Sequence, residues 1–212
     1  MRHPFFRAIT PLLALSFAAC SAADFPVDVE TTLSPTSIEA GASTTVTCAI
    51  LGSSGLELDG ETAFTVEPMD GVTIDGARVT VELTGEYTVR CEAPEGELAD
   101  ESPATLIVRS GVASSITAEL EDPIIEVHQV TETTCVVSDE FGNRVEADTV
   151  VSAPEEVNVS EHTVGSEEVG TYEVLCDLTG EDAGTLPQVP ADLKVIPGSP
   201  ATVELGVTPE LD

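Results

Sequence analysis

Gly85-Glu86-Tyr87-Thr88-Val89-Arg90-Cys91 returns downstream as Gly170-Thr171-Tyr172-Glu173-Val174-Leu175-Cys176, and this repetition decides the fold. Successive strand residues point to opposite faces, so Tyr87, Val89 and Cys91 share one face while Thr88 and Arg90 point outward. Tyr172, Val174 and Cys176 repeat that face. An earlier stretch, Thr45-Val46-Thr47-Cys48-Ala49-Ile50, alternates in the same way and puts Val46, Cys48 and Ile50 inward. Its downstream counterpart places Thr133, Cys135 and Val137 together. Cys135 and Cys176 lie 87 and 85 residues beyond Cys48 and Cys91. A strand phrase returning at a fixed period indicates tandem modules rather than one enzyme core.

Between these strands, Gly41, Gly52, Gly55, Gly60, Gly71, Gly76 and Gly85 mark turns, and no long amphipathic helix interrupts them. The expected fold is all-β: two tandem antiparallel β-sandwich modules, residues 25–110 and 111–197, each with one intersheet disulfide. Leu106-Ile107-Val108-Arg109-Ser110-Gly111 runs from one module directly into the next, which favours a semi-rigid rod. Residues 198–212 begin a third copy, with Thr202–Val207 matching Ser115–Leu120. Pro35, Pro123 and Pro209 follow the first strand of each copy. A single strand buries no face alone, so this incomplete third repeat is expected to fray or to pair at an edge.

Inward residues of two facing sheets meet across about 10 Å, so a disulfide can cross such a core. Closing a loop of about 43 residues contributes ~4 kcal/mol in the chain-entropy treatment. That support matters in modules with few aromatics and no Trp. Pairing Cys48 with Cys91 and Cys135 with Cys176 uses four of five thiols. Zinc is the rival use of four cysteines, but no Cys-x-x-Cys or nearby His pair is present.

The fifth thiol is Cys20, at the end of an N-terminal targeting segment. Arg2, His3 and Arg7 make its basic start, and residues 8–19 form an apolar stretch too short to span a bilayer. Phe17-Ala18-Ala19-Cys20 resembles the lipobox of bacterial lipoproteins, with Phe17 where Leu is usual. That resemblance implies a leader over residues 1–19, lipidation at Cys20 and a tether over residues 20–24. Several acyl chains, at ~0.8 kcal/mol per buried methylene, would anchor the protein stably. The alternative is cleavage after Ser21-Ala22-Ala23, which removes Cys20 and yields a secreted protein.

Without the leader, five basic residues face 39 acidic ones, a formal charge of −34 over 193 residues. Such a chain repels nucleic-acid phosphates and anionic headgroups, so membrane contact is left to the anchor. The apolar content of the full 212-residue sequence, 42%, still suffices for β cores. The acids are spread out, with small clusters such as Glu95, Glu97, Asp100 and Glu101, which read as a solvated surface suited to a salty exterior. Calcium held between modules is the sharper alternative, although no Asp-x-Asp-x-Asp-Gly loop occurs. No other cofactor is expected.

Ser138-Asp139-Glu140-Phe141-Gly142-Asn143-Arg144-Val145 resembles the Asp-x-x-Gly-Asn-x-Val turn of bacterial immunoglobulin-like modules of the intimin and invasin type. Asp139, Gly142, Asn143 and Val145 are the matching positions, and Gly142 and Asn143 tolerate the left-handed backbone that such a hairpin needs. Module one has Gly52-Ser53-Ser54-Gly55 there instead. The resemblance covers residues 25–197 and implies extracellular stalks, spacers and adhesion modules. Antibody domains fit less well: Tyr87 and Tyr172 stand four residues before their cysteines rather than two.

No catalytic arrangement emerges. His128 and His162 sit in no nucleophile or metal motif, and Tyr87 and Tyr172 read as core packing or corner hydrogen bonds. The expected protein is a non-enzymatic, lipid-anchored spacer of the bacterial cell envelope, at the outer membrane or cell surface. The alternative is an adhesion or ligand-binding protein, with calcium as its candidate aid, whose partner is another surface protein or a glycan. Neither nucleic acid nor a small-molecule substrate is expected.

Overall fold

A computed structural model describes residues 24–93, 98–180 and 186–199, and these form two β-sandwiches in sequence. In module one the strands are β1 (Pro26–Ser34), β2 (Ser37–Glu39), β3 (Ser43–Gly52), β4 (Glu57–Leu58), β5 (Ala63–Glu67), β6 (Val72–Asp75), β7 (Arg78–Val81), β8 (Gly85–Glu92) and β9 (Ala104–Arg109). One sheet runs β1-β3-β7-β6, with β4 also paired to β3; the facing sheet runs β2-β9-β8-β5. Module two contains β10 (Ser115–Leu120), β11 (Ile124–Glu126), β12 (Val130–Ser138), β13 (Thr149–Ser152), β14 (Val157–Ser160), β15 (Thr163–Ser166), β16 (Gly170–Leu178), β17 (Gln188–Val189) and β18 (Ala191–Ile196). Its sheets run β14-β15-β12-β10-β17 and β11-β18-β16-β13. Cys20 and the strand expected at Thr202–Val207 lie outside the described residues.

The period holds at the level of pairing. Thr31 opposes Cys48 in module one, and Ala118 opposes Cys135 in module two, each 87 residues later. Both disulfides cross between sheets: Cys48 on β3 bonds Cys91 on β8, and Cys135 on β12 bonds Cys176 on β16, each with Cα atoms 5.7 Å apart. Val29, Val46, Val66, Val79, Val89 and Leu106 pack around the first bridge in one continuous core. Module two instead has two apolar clusters, and Cys135 touches both.

The sheets are not wholly antiparallel as expected: β2 pairs with β9, β11 with β18 and β10 with β17 in parallel. Proline explains the first two pairings. Pro35 and Pro123 lack the N–H that would continue the ladder of β1 or β10, and just beyond them the chain joins the opposite sheet. There it travels in the same direction as the module's last strand and pairs with it in parallel. Two glycines expected in turns also belong to strands, since Gly52 ends β3 and Gly85 opens β8.

The two tyrosines make corner bonds but are buried unequally. Tyr87 is 3% exposed and donates its hydroxyl to the Leu83 carbonyl at 2.9 Å. Burial, followed by the charge of Asp70, raises its pKa and keeps it a proton donor. Tyr172 donates in the same way to the Glu168 carbonyl at 3.1 Å, but it is only half-buried and so not a full core residue. Its ring lies across Gly170, where an added Cβ would stand 2.8 Å from the ring carbon that bears the hydroxyl. The Gly-x-Tyr phrase therefore pairs a bare backbone with the ring that covers it.

Candidate functional site: the joint between the modules

The Asp139–Val145 stretch reverses the chain after β12, but it does not lead into a β12–β13 hairpin. Ser138 and Arg144 form a single bridge, and β13 then pairs with β16 in the other sheet. Gly142 has φ +84, as expected, whereas Asn143 does not share the left-handed conformation. Asn143 matters through its side chain instead. Val145 closes the turn by donating its N–H to the Val137 carbonyl at 2.8 Å, and it packs half-buried against the core.

Asp139 is 3% exposed and acts as the hub of this turn. Its Oδ1 accepts the N–H groups of Phe141 at 3.0 Å and Asn143 at 2.9 Å. Its Oδ2 accepts the Asn143 side-chain amide at 2.9 Å and the N–H of Gly111, in the segment joining the modules, at 2.9 Å. Burial pushes the carboxyl pKa up, but the hydrogen bonds from Asn143, Gly111 and Phe141 together outweigh it and hold the group below the usual range. These oxygens are satisfied by protein donors, and no trio of metal-ligating side chains gathers among the described residues.

From this hub Asn143, itself 7% exposed, reaches into module one. Its Nδ2 donates to the Glu82 carbonyl at 2.7 Å, and its Oδ1 accepts the Thr84 N–H at 2.9 Å. The amide thus reads one acceptor and one donor on the loop between β7 and β8, which fixes its orientation. Phe141 fills the adjoining space over Gly41, where an added Cβ would lie 2.5 Å from the ring. Gly41 also has φ +79, a conformation that favours glycine. Ala40 donates to the Arg109 carbonyl at 2.8 Å, and Ser114 to the Ser138 carbonyl at 2.8 Å, so both ends of the connecting segment are pinned.

The structure thus brings Asp139, Gly142 and Asn143 to one joint and leaves the disulfides and tyrosines within the modules. Gly41, Phe141, Gly111 and the backbone of Glu82 and Thr84 belong to the joint but were missed as site residues. The fixed repeat was the available signal for Gly111, which leads off the second copy. Asp100, expected on the solvated surface, is 5% exposed and accepts the N–H groups of Thr31 at 2.8 Å and Ser102 at 2.7 Å. Neither His128 nor His162 makes a side-chain hydrogen bond among the described residues.

No protein-family model and no curated protein matches the chain. Solved structures do. InvD of Yersinia pseudotuberculosis aligns at TM-score 0.50 and 15% identity, over 84% of this chain and 60% of InvD. The fold is that of tandem immunoglobulin-like domains. FdeC, an Escherichia coli adhesin, aligns at TM-score 0.43 and 21% identity over 82% of this chain and 66% of FdeC. Invasin, a bacterial integrin-binding protein, aligns at TM-score 0.42 and 18% identity over 80% of this chain and 40% of invasin. The chain therefore spans less than two thirds of each of these structures.

Proposed function

We propose that the chain is a non-enzymatic stem of a bacterial surface protein, two sandwiches long and stiff at their junction. The observation that carries this is the joint itself. One buried amide, Asn143, is held by a buried carboxylate of its own module while bonding two backbone groups of the neighbouring one. A flexible connection has no use for such an arrangement, whereas a spacer that transmits orientation does. Small-angle scattering on the soluble chain should report an elongated particle; a compact globule would overturn the reading.

Adhesion through the modules' own surfaces is the second reading, and it is the role named for FdeC and, as integrin binding, for invasin. Carried to this chain, it makes a surface protein or glycan the partner. Binding to a panel of both, with and without calcium, would establish it; silence across the panel leaves the stem alone. Anchoring through a lipid on Cys20 is proposed with either role. It is supported by the cysteine count, because the two bridges consume the other four thiols. Intact mass of membrane-extracted protein should show the acyl chains, and an unmodified mass would refute the anchor.

A further inference from the structure

The two modules close their equivalent turns with the same carboxylate position, supplied from opposite sides. In module two, Asp139 on the turn receives the N–H of Gly111 from the entering chain. Eighty-seven residues earlier, these places hold Gly52 and Asp24, so the acid and the glycine have changed partners. Asp24 reaches in from the entering chain, and its Oδ1 accepts the Ser54 N–H at 3.0 Å, as Asp139 accepts the equivalent N–H of Phe141. The hydroxyls of Ser53, at 2.7 Å, and Ser54 also donate to it. A Cβ on Gly52 would stand 2.6 Å from the carboxyl carbon of Asp24, so the slot takes either a side chain from the turn or one from the entering chain. Ser53 then donates its N–H to the Phe25 carbonyl at 2.9 Å, which binds the next residue as well.

We propose that Asp24 is a positioning residue that clips the entering chain onto module one and finishes this end of module one as a cap. The residues that make the module-two turn a plug are absent from its counterpart: Ser54 stands at the place of Phe141, and Leu56 at the place of Asn143. The turn of module one is closed upon its own chain and carries neither the ring nor the amide that would dock on another sandwich. If Cys20 carries the anchor, only residues 21–23 lie between it and Asp24 in the sequence, so the clip sets the angle at which the stem leaves its attachment. Only that last consequence rests on the proposed function.

The swap supplies its own test in the intact chain. Amide exchange at Ser54 and ¹⁵N relaxation at Phe25 are measured in Asp24→Gly, Gly52→Asp and the double variant. Asp24→Gly should speed exchange at Ser54 by roughly tenfold, and Gly52→Asp alone should expel Asp24 and mobilise Phe25. The double variant recreates the module-two arrangement and should return both probes to within about twofold of the parent. Unchanged exchange in Asp24→Gly, or a double variant as loose as the two losses combined, would overturn the proposal. Exchange at Phe141 serves as the folding control and should not move, whatever the fate of the stem reading.

Discussion

Thr133 occupies in module two the place that Val46 holds in module one, and its buried hydroxyl has no hydrogen-bond partner among the described residues. A buried, unpaired hydroxyl costs ~1–3 kcal/mol, and valine has nearly the same shape. Thr133→Val should stabilise module two by ~1 kcal/mol and raise its thermal midpoint; a lower midpoint would mean that the hydroxyl is satisfied. Acid sensitivity belongs to the same scale. Burial raises the pKa of both Asp139 and Asp100, but their hydrogen bonds prevail and both lie below the ordinary carboxylate value. A depressed folded pKa adds stability above the unfolded value, and that stability is lost as pH falls through the folded one. Thermal midpoints should therefore hold at pH 5 and drop below about pH 4. Asp139→Asn should flatten that acid slope while costing about 2 kcal/mol at pH 7. The inward faces and the cysteine pairs were legible because alternation and thiol spacing are written locally. Asp100 was not, since nothing in the sequence separates it from the neighbouring acids that it resembles.

A turn is an element whose worth depends on what it meets. The 139–143 turn was readable as a reversal from Gly142, yet its fit to module one was not. The groups it meets there are the Glu82 carbonyl and the Thr84 N–H, and backbone atoms leave no side-chain signature. Gly41 was visible only as one turn glycine among several, although it alone admits the Phe141 ring. Gly41→Ala should therefore disturb the joint more than a turn substitution elsewhere. It adds about 1–2 kcal/mol of left-handed backbone strain, and its methyl group would sit in the space of the ring. Chemical-shift changes at Phe141 and Asn143 in that variant would reveal the contact, and silence at both would deny it. The same reasoning explains the parallel pairings: proline spacing marked where the first strand stops, but not which neighbour the chain adopts next.

For the whole molecule, two modules of this kind become a stem only if their angle is fixed. Apolar burial within each sandwich does not supply that; the Asn143 bonds, the Phe141–Gly41 contact and the pinned segment from Arg109 to Ser114 do. Asn143→Asp tests the amide with minimal change in size. It places an acceptor opposite the Glu82 carbonyl and a second carboxylate beside Asp139, and should loosen the joint by about 2 kcal/mol without unfolding either sandwich. The deciding measurement is the pulsed electron spin resonance distance between non-thiol labels on exposed Thr65 of β5 and Asn158 of β14. One narrow distribution in the parent, broadened in Asn143→Asp, is the predicted result. A broad distribution already present in the parent would contradict a fixed joint.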